Sequence, residues 1–119
     1  MIEVTTQVRH IDTSDGHRVY EAVISAAGHA GYDVEGRDIV CASVSTAMEC
    51  IEQLLEYNLP AVGSDGESGS ISIWIPAPSL QTALRSLDLV EPILQVIEDL
   101  SREYPDNVSV TRFTSASAV

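Results

Sequence analysis

Hydrophobic and polar residues alternate in four separate stretches of the chain, and a period of two predicts β-strands. The predicted strands cover about residues 2–10, 19–27, 71–75 and 108–112. The first two are separated by residues 12–16, Asp-Thr-Ser-Asp-Gly, which are rich in turn formers. We therefore expect the chain to start with a β-hairpin.

A second pattern, with apolar residues three and four positions apart, predicts helices. The first helix covers about residues 39–57, with Asp38 as its N-cap and with its end set by Pro60. The helical pattern returns over residues 80–104 and contains Pro92. This proline predicts either a kink or two helices, with the proline in a first turn.

Two glycine-containing segments without any hydrophobic period separate these elements. Residues 28–37 and 61–70 hold three glycines each, and we expect both to be loops. The predicted order is β-β-α-β-α-β. Since two amphipathic helices each need an apolar surface to cover, we expect a two-layer α+β sandwich. It would have a four-stranded sheet with two helices on one face, in a single domain of residues 1–119.

The charge balance restricts the partners of this domain. Its 119 residues contain 18 Asp and Glu against six Arg and no Lys, which gives a net charge of −12. The absence of Lys excludes a Schiff-base lysine, a phosphate-loop lysine and a lysine general base. Because binding to a phosphate backbone needs clustered basic residues, we expect neither nucleic acid nor a membrane as a partner. Neutral or basic partners are expected instead.

The cellular compartment follows from what the sequence lacks. The first residues do not form a signal peptide, and no apolar stretch reaches the ~20 residues of a membrane helix. Cys41 and Cys50 would lie ~13 Å apart along one helix, which is too far for a disulfide. We therefore expect a cytoplasmic protein.

Three features resemble ligand sites but are better explained by ordinary structural roles. The glycines of residues 63–69 precede a strand, not a helix, and come with two acidic residues, unlike a phosphate loop. The three histidines, His10, His17 and His29, lack metal-ligand spacing. Trp74, the single tryptophan, is better explained by packing than by a ligand platform. We expect no metal and no cofactor.

His29 and Cys41 are the pair with the clearest chemical use. With Asp38 as N-cap, Cys41 is the third helical residue, where free N–H groups and the helix dipole stabilise the nucleophilic thiolate. A nearby His29 would complete a Cys–His dyad. From the residues alone, a buried structural cysteine is the alternative, and Cys50 on the same helix is predicted to be one.

The segment around this pair resembles a known family. Residues 28–32 read Gly-His-Ala-Gly-Tyr, and residues 36–45 read Gly-Arg-Asp-Ile-Val-Cys-Ala-Ser-Val-Ser. This combination resembles the ribosomal-processing cysteine protease family, Prp. That family shows a Gly-His-Ala element, then Gly-x-Asp-Ile-Val-Cys-Ala and a serine four residues past the cysteine. The resemblance also covers the length and the predicted order of elements, so it spans essentially the whole chain.

The resemblance implies an endopeptidase that removes the N-terminal extension of bacterial large-subunit ribosomal protein twenty-seven during ribosome assembly. By matched position, it implies that His29 is the general base and Cys41 the nucleophile. Gly28, Asp38 and Ser45 fall on the family's other motif positions. The resemblance also implies a homodimer that acts on a basic ribosomal protein precursor. Two roles stay open for Asp38, helix cap and orienter of His29.

Two other functions fit part of these observations. A non-catalytic, acidic, dimeric module that binds a basic ribosomal protein or assembly factor needs the charge but not the dyad. A small metal-binding protein would use His29 and Cys41 as ligands. The protease predicts that Cys41→Ala abolishes peptide cleavage, whereas the module predicts that the same change leaves binding intact.

Overall fold

One mixed β-sheet with helices against one of its faces forms the fold, in a computed structural model that describes residues 1–113. The elements are β1 (Ile2–Asp12), β2 (Arg18–Ala27), α1 (Ile39–Asn58), β3 (Gly63–Glu67), β4 (Ser70–Ala77), α2 (Leu80–Leu89), α3 (Glu91–Glu103) and β5 (Val108–Thr111). The strand order is β3-β4-β2-β1-β5. β1 runs parallel to β5, and all other neighbours are antiparallel.

The alternation along each strand decides which side chains meet the helices. On β2, Ala22, Ile24 and Ala26 are buried, as the period of two predicts. They join the apolar sides of the helices in one core. Its largest fully buried side chains are Ile24, Met48, Ile51, Leu55, Ile73, Ile75, Leu94 and Ile97. Because burying a side chain of this kind stabilises a fold by about 1.5–3 kcal/mol, this layer holds the helices against the sheet.

The other face of the sheet carries polar side chains. On β1 and β2, for example, Arg9 Nε donates to Glu21 Oε1 at 2.7 Å across the strand pair. None of the helices within residues 1–113 is long and apolar enough to cross a membrane.

The predicted count of four strands and two helices is wrong, and so is the order β-β-α-β-α-β. The described residues form five strands and three helices in the order β-β-α-β-β-α-α-β. Residues 61–70, predicted to be a flexible loop, contain β3 and its turn into β4. The composition misled because β3 is an edge strand with mostly exposed residues, so it has no apolar alternation. Its hydrogen bonds to β4 hold it in the sheet.

The remaining helical pattern divides at Val90, which ends α2 and precedes α3. Pro92 lies in the first turn of α3, where its missing N–H leaves no helical bond unmade. Of the two alternatives that Pro92 predicts, the structure therefore has the two helices.

Trp74 packs on the polar face of the sheet rather than in the core. It is half-buried and pairs in register with Val23 on β2 and with Gly63 on β3. A Cβ atom on Gly63 would lie 2.1 Å from the indole Nε1, so the ring lies directly across this glycine. This contact agrees with the packing role predicted for Trp74.

Candidate active site

Asp38 organises the start of α1 and the loop that precedes it. Its Oδ1 accepts the N–H of Cys41 at 2.9 Å, which makes Asp38 the N-cap that the sequence predicts. Its Oδ2 accepts the N–H groups of Tyr32 at 2.9 Å and of Asp33 at 3.2 Å. One carboxylate thus starts the helix and fastens the loop to it.

The same contacts set the charge of Asp38. Partial burial opposes ionisation, but the backbone N–H donors of the helix and the loop outweigh it, so the pKa of Asp38 is lowered. Both oxygens accept from the main chain, and this supports the cap rather than the orientation of His29 as the role of Asp38.

Cys41 is the third residue of α1 and is half-buried. It lies in the first turn of the helix, at the positive end of the helix dipole. The neighbouring Ala42 N–H donates to the main-chain oxygen of Asp38 at 3.0 Å, and the Cys41 N–H is engaged by the carboxylate. These two N–H groups are therefore not available to a substrate oxyanion in this conformation.

Gly28 and His29 lie where β2 leaves the sheet. Gly28 has a φ of +103°, and a Cβ atom on it would lie 2.2 Å from the main-chain oxygen of Met1. Only glycine fits this close approach, which gives a physical reason for the glycine of the Gly-His-Ala element. His29 follows it and is exposed.

The folded chain brings His29, Cys41 and Ser45 to one cleft of about 410 Å³. Residues of α1 form part of its wall, and the turn between β3 and β4 forms another part. A second cavity of about 350 Å³ is also lined by His29, Cys41 and Ser45, together with residues of the 28–37 loop. The three side chains thus lie where two cavities meet, an arrangement that suits an extended chain passing over them.

The wall formed by the β3–β4 turn was missed by the sequence reasoning. Residues 66–71 line the larger cavity, and Met48 and Glu49 of α1 do so as well. No motif marks these positions, and the segment was predicted to be only a flexible connection. The register between β3 and β4 is what carries the turn to the cleft.

Cys50 was predicted to be buried, and this is wrong: it is exposed on α1, and both cysteines are free. It faces a shallow groove between α1 and α3, beside Ile39 and Val96. Cys50 lies between the buried Met48 and Ile51 in the sequence, but the helix turns its side chain away from the core.

The three histidines are not gathered into one site. The His10 ring lies 6.1 Å from that of Tyr20, and His17 Nδ1 lies 3.0 Å from Asp15 Oδ2 in the β1–β2 turn. Among residues 1–113, no group of three or more His, Cys, Asp or Glu side chains is placed to hold a metal ion.

A family model described as cysteine protease Prp matches residues 1–109. The chain belongs to the Prp family of cysteine proteases. The matched range includes His29, Cys41 and every described helix and strand except the last residues of β5. A comparison with curated proteins finds no match.

Solved structures share the fold of this Prp-family protease. An essential ribosomal processing protease Prp from S. aureus, in complex with a substrate peptide, is 17% identical with a TM-score of 0.64, over 95% of this chain and 100% of the other. The S. aureus protease with a covalently linked product peptide is 23% identical with a TM-score of 0.61, over the same shares. SMU.848 from Streptococcus mutans is 26% identical with a TM-score of 0.60, over 97% and 96%.

Proposed function

We propose that this cysteine protease removes the N-terminal extension of bacterial large-subunit ribosomal protein twenty-seven during ribosome assembly, with a Cys41–His29 dyad. The observation that carries the proposal is that both side chains line the same two cavities at the start of α1. The S. aureus relative is described as a ribosomal processing protease and was solved with a substrate peptide and with a covalently linked product peptide. A covalent peptide adduct in a relative supports nucleophilic catalysis here.

In the first step, the Cys41 thiolate attacks the scissile carbonyl carbon and forms a tetrahedral intermediate. The intermediate collapses to a thioester as the peptide C–N bond breaks, and the His29 imidazolium gives its proton to the leaving amine. In the second step, neutral His29 takes a proton from water, which attacks the thioester and releases the carboxylate product and the Cys41 thiolate. The enzyme returns to its starting state without any cofactor.

The remaining motif residues have supporting roles in this proposal. Gly28 lets the chain leave β2 beside Met1, and Asp38 caps the helix that carries the thiol. Ser45 lies one helical turn beyond Cys41 and lines both cavities, so its hydroxyl can hydrogen-bond a bound peptide.

The proposal also covers the substrate, the oligomeric state and the cellular location of the enzyme. A net charge of −12 suits a basic ribosomal protein precursor and disfavours direct contact with nucleic acid. We propose that the enzyme works as a homodimer, as the family resemblance implies, and that it does so in the cytoplasm.

The test is to incubate the purified protein with the full-length precursor and to read the new N-terminus by mass spectrometry. We expect a single cleavage, and a loss of at least about a thousandfold in kcat/KM for Cys41→Ala and for His29→Ala. Circular dichroism checks that both variants are folded.

Cys50→Ser is the matched control, because it removes the exposed thiol of the same helix and leaves the cleft unchanged. Full cleavage by Cys41→Ala would exclude the dyad. Tight binding of the precursor with no product from the wild-type protein would instead indicate a non-catalytic binding module.

A further inference from the structure

His29 is held in place through the main chain on both of its sides. On one side, the N–H of Gly28 donates to the main-chain oxygen of Gly69 at 2.8 Å. On the other, the main-chain oxygen of Ala30 accepts from Asn107 Nδ2 at 2.9 Å, and Ala30 is almost fully buried. The exposed imidazole therefore extends from a short segment fixed to two distant parts of the chain.

Gly69 also lies beside the Nε2 edge of the imidazole. A Cβ atom on Gly69 would lie 2.9 Å from His29 Nε2, closer than Cβ atoms approach other atoms in proteins, and 3.3 Å from Cε1, which is a tight contact. Its φ of +85° is a second reason for glycine at this position. Any side chain here would push the ring away from its present place in the cleft.

We infer that Gly69 and Asn107 are positioning residues for His29, and this inference rests on the proposed function for the catalytic use of that histidine. Gly69 accepts the Gly28 N–H and leaves room for the ring, while Asn107 fixes the next peptide through Ala30. Neither residue belongs to the motif at residues 28–45. Proton transfer by His29 depends on ring placement, and a misplacement of ~1 Å can cost about 100-fold in rate.

Gly69→Asn separates the crowding from the backbone strain. Asparagine tolerates a positive φ better than other residues, so this variant keeps the turn but places a Cβ against the ring. We expect kcat for precursor cleavage to fall by at least about tenfold with KM within about twofold, and the ring C–H NMR signals of His29 to shift.

Gly16→Ala is the matched control for strain. Gly16 has a φ of +86°, nearly the same as Gly69, but a Cβ there would meet nothing within 4 Å. It lies in the β1–β2 turn, outside the cleft. We expect it to lower stability as Gly69→Ala does through strain, and to leave kcat and the His29 signals unchanged.

Asn107→Leu tests the contact on the Ala30 side of His29. It is a second test of the inference if the Gly69 variants do not fold. It has similar volume but no donor for the Ala30 oxygen, so we expect shifted His29 signals and a kcat lowered by roughly tenfold. Wild-type kcat and wild-type His29 signals in Gly69→Asn or in Asn107→Leu would overturn the inference. If the wild-type protein did not cleave the precursor, the proposed function would fail, and the NMR comparison would still decide the positioning.

Discussion

The carboxylate of Asp38 accepts the N–H of Cys41 at 2.9 Å, three residues ahead of it along the chain. The cap therefore fixes the backbone of the nucleophilic residue itself. The other oxygen of Asp38 accepts two N–H groups from the loop that begins at His29. One side chain thus fixes both the start of the helix that carries Cys41 and part of the loop that follows His29.

Asp38→Asn should separate these two functions. An asparagine oxygen caps a helix about as well as a carboxylate, but the amide nitrogen cannot accept a hydrogen bond. We expect the Cys41 N–H to stay protected in amide hydrogen exchange, while Tyr32 and Asp33 lose protection. Asp38→Ala should lower stability in urea more than Asp38→Asn does.

Asp33→Asn is the control for this experiment, since Asp33 is an exposed carboxylate of the same loop that does not cap the helix. It removes one negative charge without removing the cap. Equal loss of protection at Tyr32 in both asparagine variants would show that charge, not the second acceptor, holds the loop.

The lowered pKa of Asp38 predicts how stability depends on pH. A carboxyl whose pKa is lower when folded stabilises the fold above its unfolded pKa of about 3.9, and this contribution is lost as pH falls through the folded pKa. Urea unfolding between about pH 7 and about pH 3 should therefore show a steeper acid loss in the wild-type protein than in Asp38→Asn. Other carboxyls titrate in both proteins, so the difference between the two curves isolates Asp38. Parallel curves would contradict the assignment.

The first helix shows which parts of the fold local sequence can predict. A capping residue, a 3.6-residue apolar period and a terminating Pro60 all lie within the segment, and the predicted residues 39–57 match Ile39–Asn58 closely. Strand β3 has no such internal signal. It is held in the sheet by pairing with β4, and the nearby ring of Trp74 leaves room only for a glycine at position 63.

The residues of the candidate site also fall into two groups, those that local sequence predicts and those that only the fold brings together. The motif supplied His29 and Cys41 because these residues are near in sequence and chemically distinctive. The contacts of Gly69 and Asn107 with the histidine segment join parts of the chain that are far apart, and a glycine and an asparagine have many ordinary structural uses. Only the fold shows that these two residues meet at His29.

Gly63→Ala should displace the indole of Trp74. The new methyl group would overlap the ring at 2.1 Å, and overpacking of this kind costs about 1–3 kcal/mol of unfolding free energy. Because Trp74 is the single tryptophan, its fluorescence reports the change directly, and we expect emission at longer wavelength as the ring becomes more exposed.

Gly66→Ala is the control in the same strand, since its Cβ would meet its nearest neighbour at an ordinary 3.5 Å. It should leave the emission unchanged and alter stability by less than ~0.5 kcal/mol. If the two variants gave the same emission spectrum, the close contact between Gly63 and Trp74 would be wrong.

Of the two cysteines of α1, the less exposed one should react faster. Cys50 is exposed and lies in the middle of the helix, whereas Cys41 is half-buried at its positive end. Because the proposed function makes Cys41 the nucleophile, we expect iodoacetamide to modify Cys41 faster at neutral pH, by roughly tenfold. Peptide mapping by mass spectrometry measures both rates in one sample, and faster modification of Cys50 would contradict a nucleophilic role for Cys41.

Salt should slow the processing of a basic substrate. The charge of −12 attracts a basic precursor over long range, and raising salt from about 0.15 M to about 1 M shortens the screening length from ~8 Å to ~3 Å. We expect kcat/KM to fall by roughly tenfold over this range. A peptide with the same residues around the scissile bond but no net charge should show little change, because its binding depends on short-range contacts alone. Equal salt dependence for the two substrates would mean that salt acts on the enzyme itself, and the acidic surface would then have no part in substrate capture.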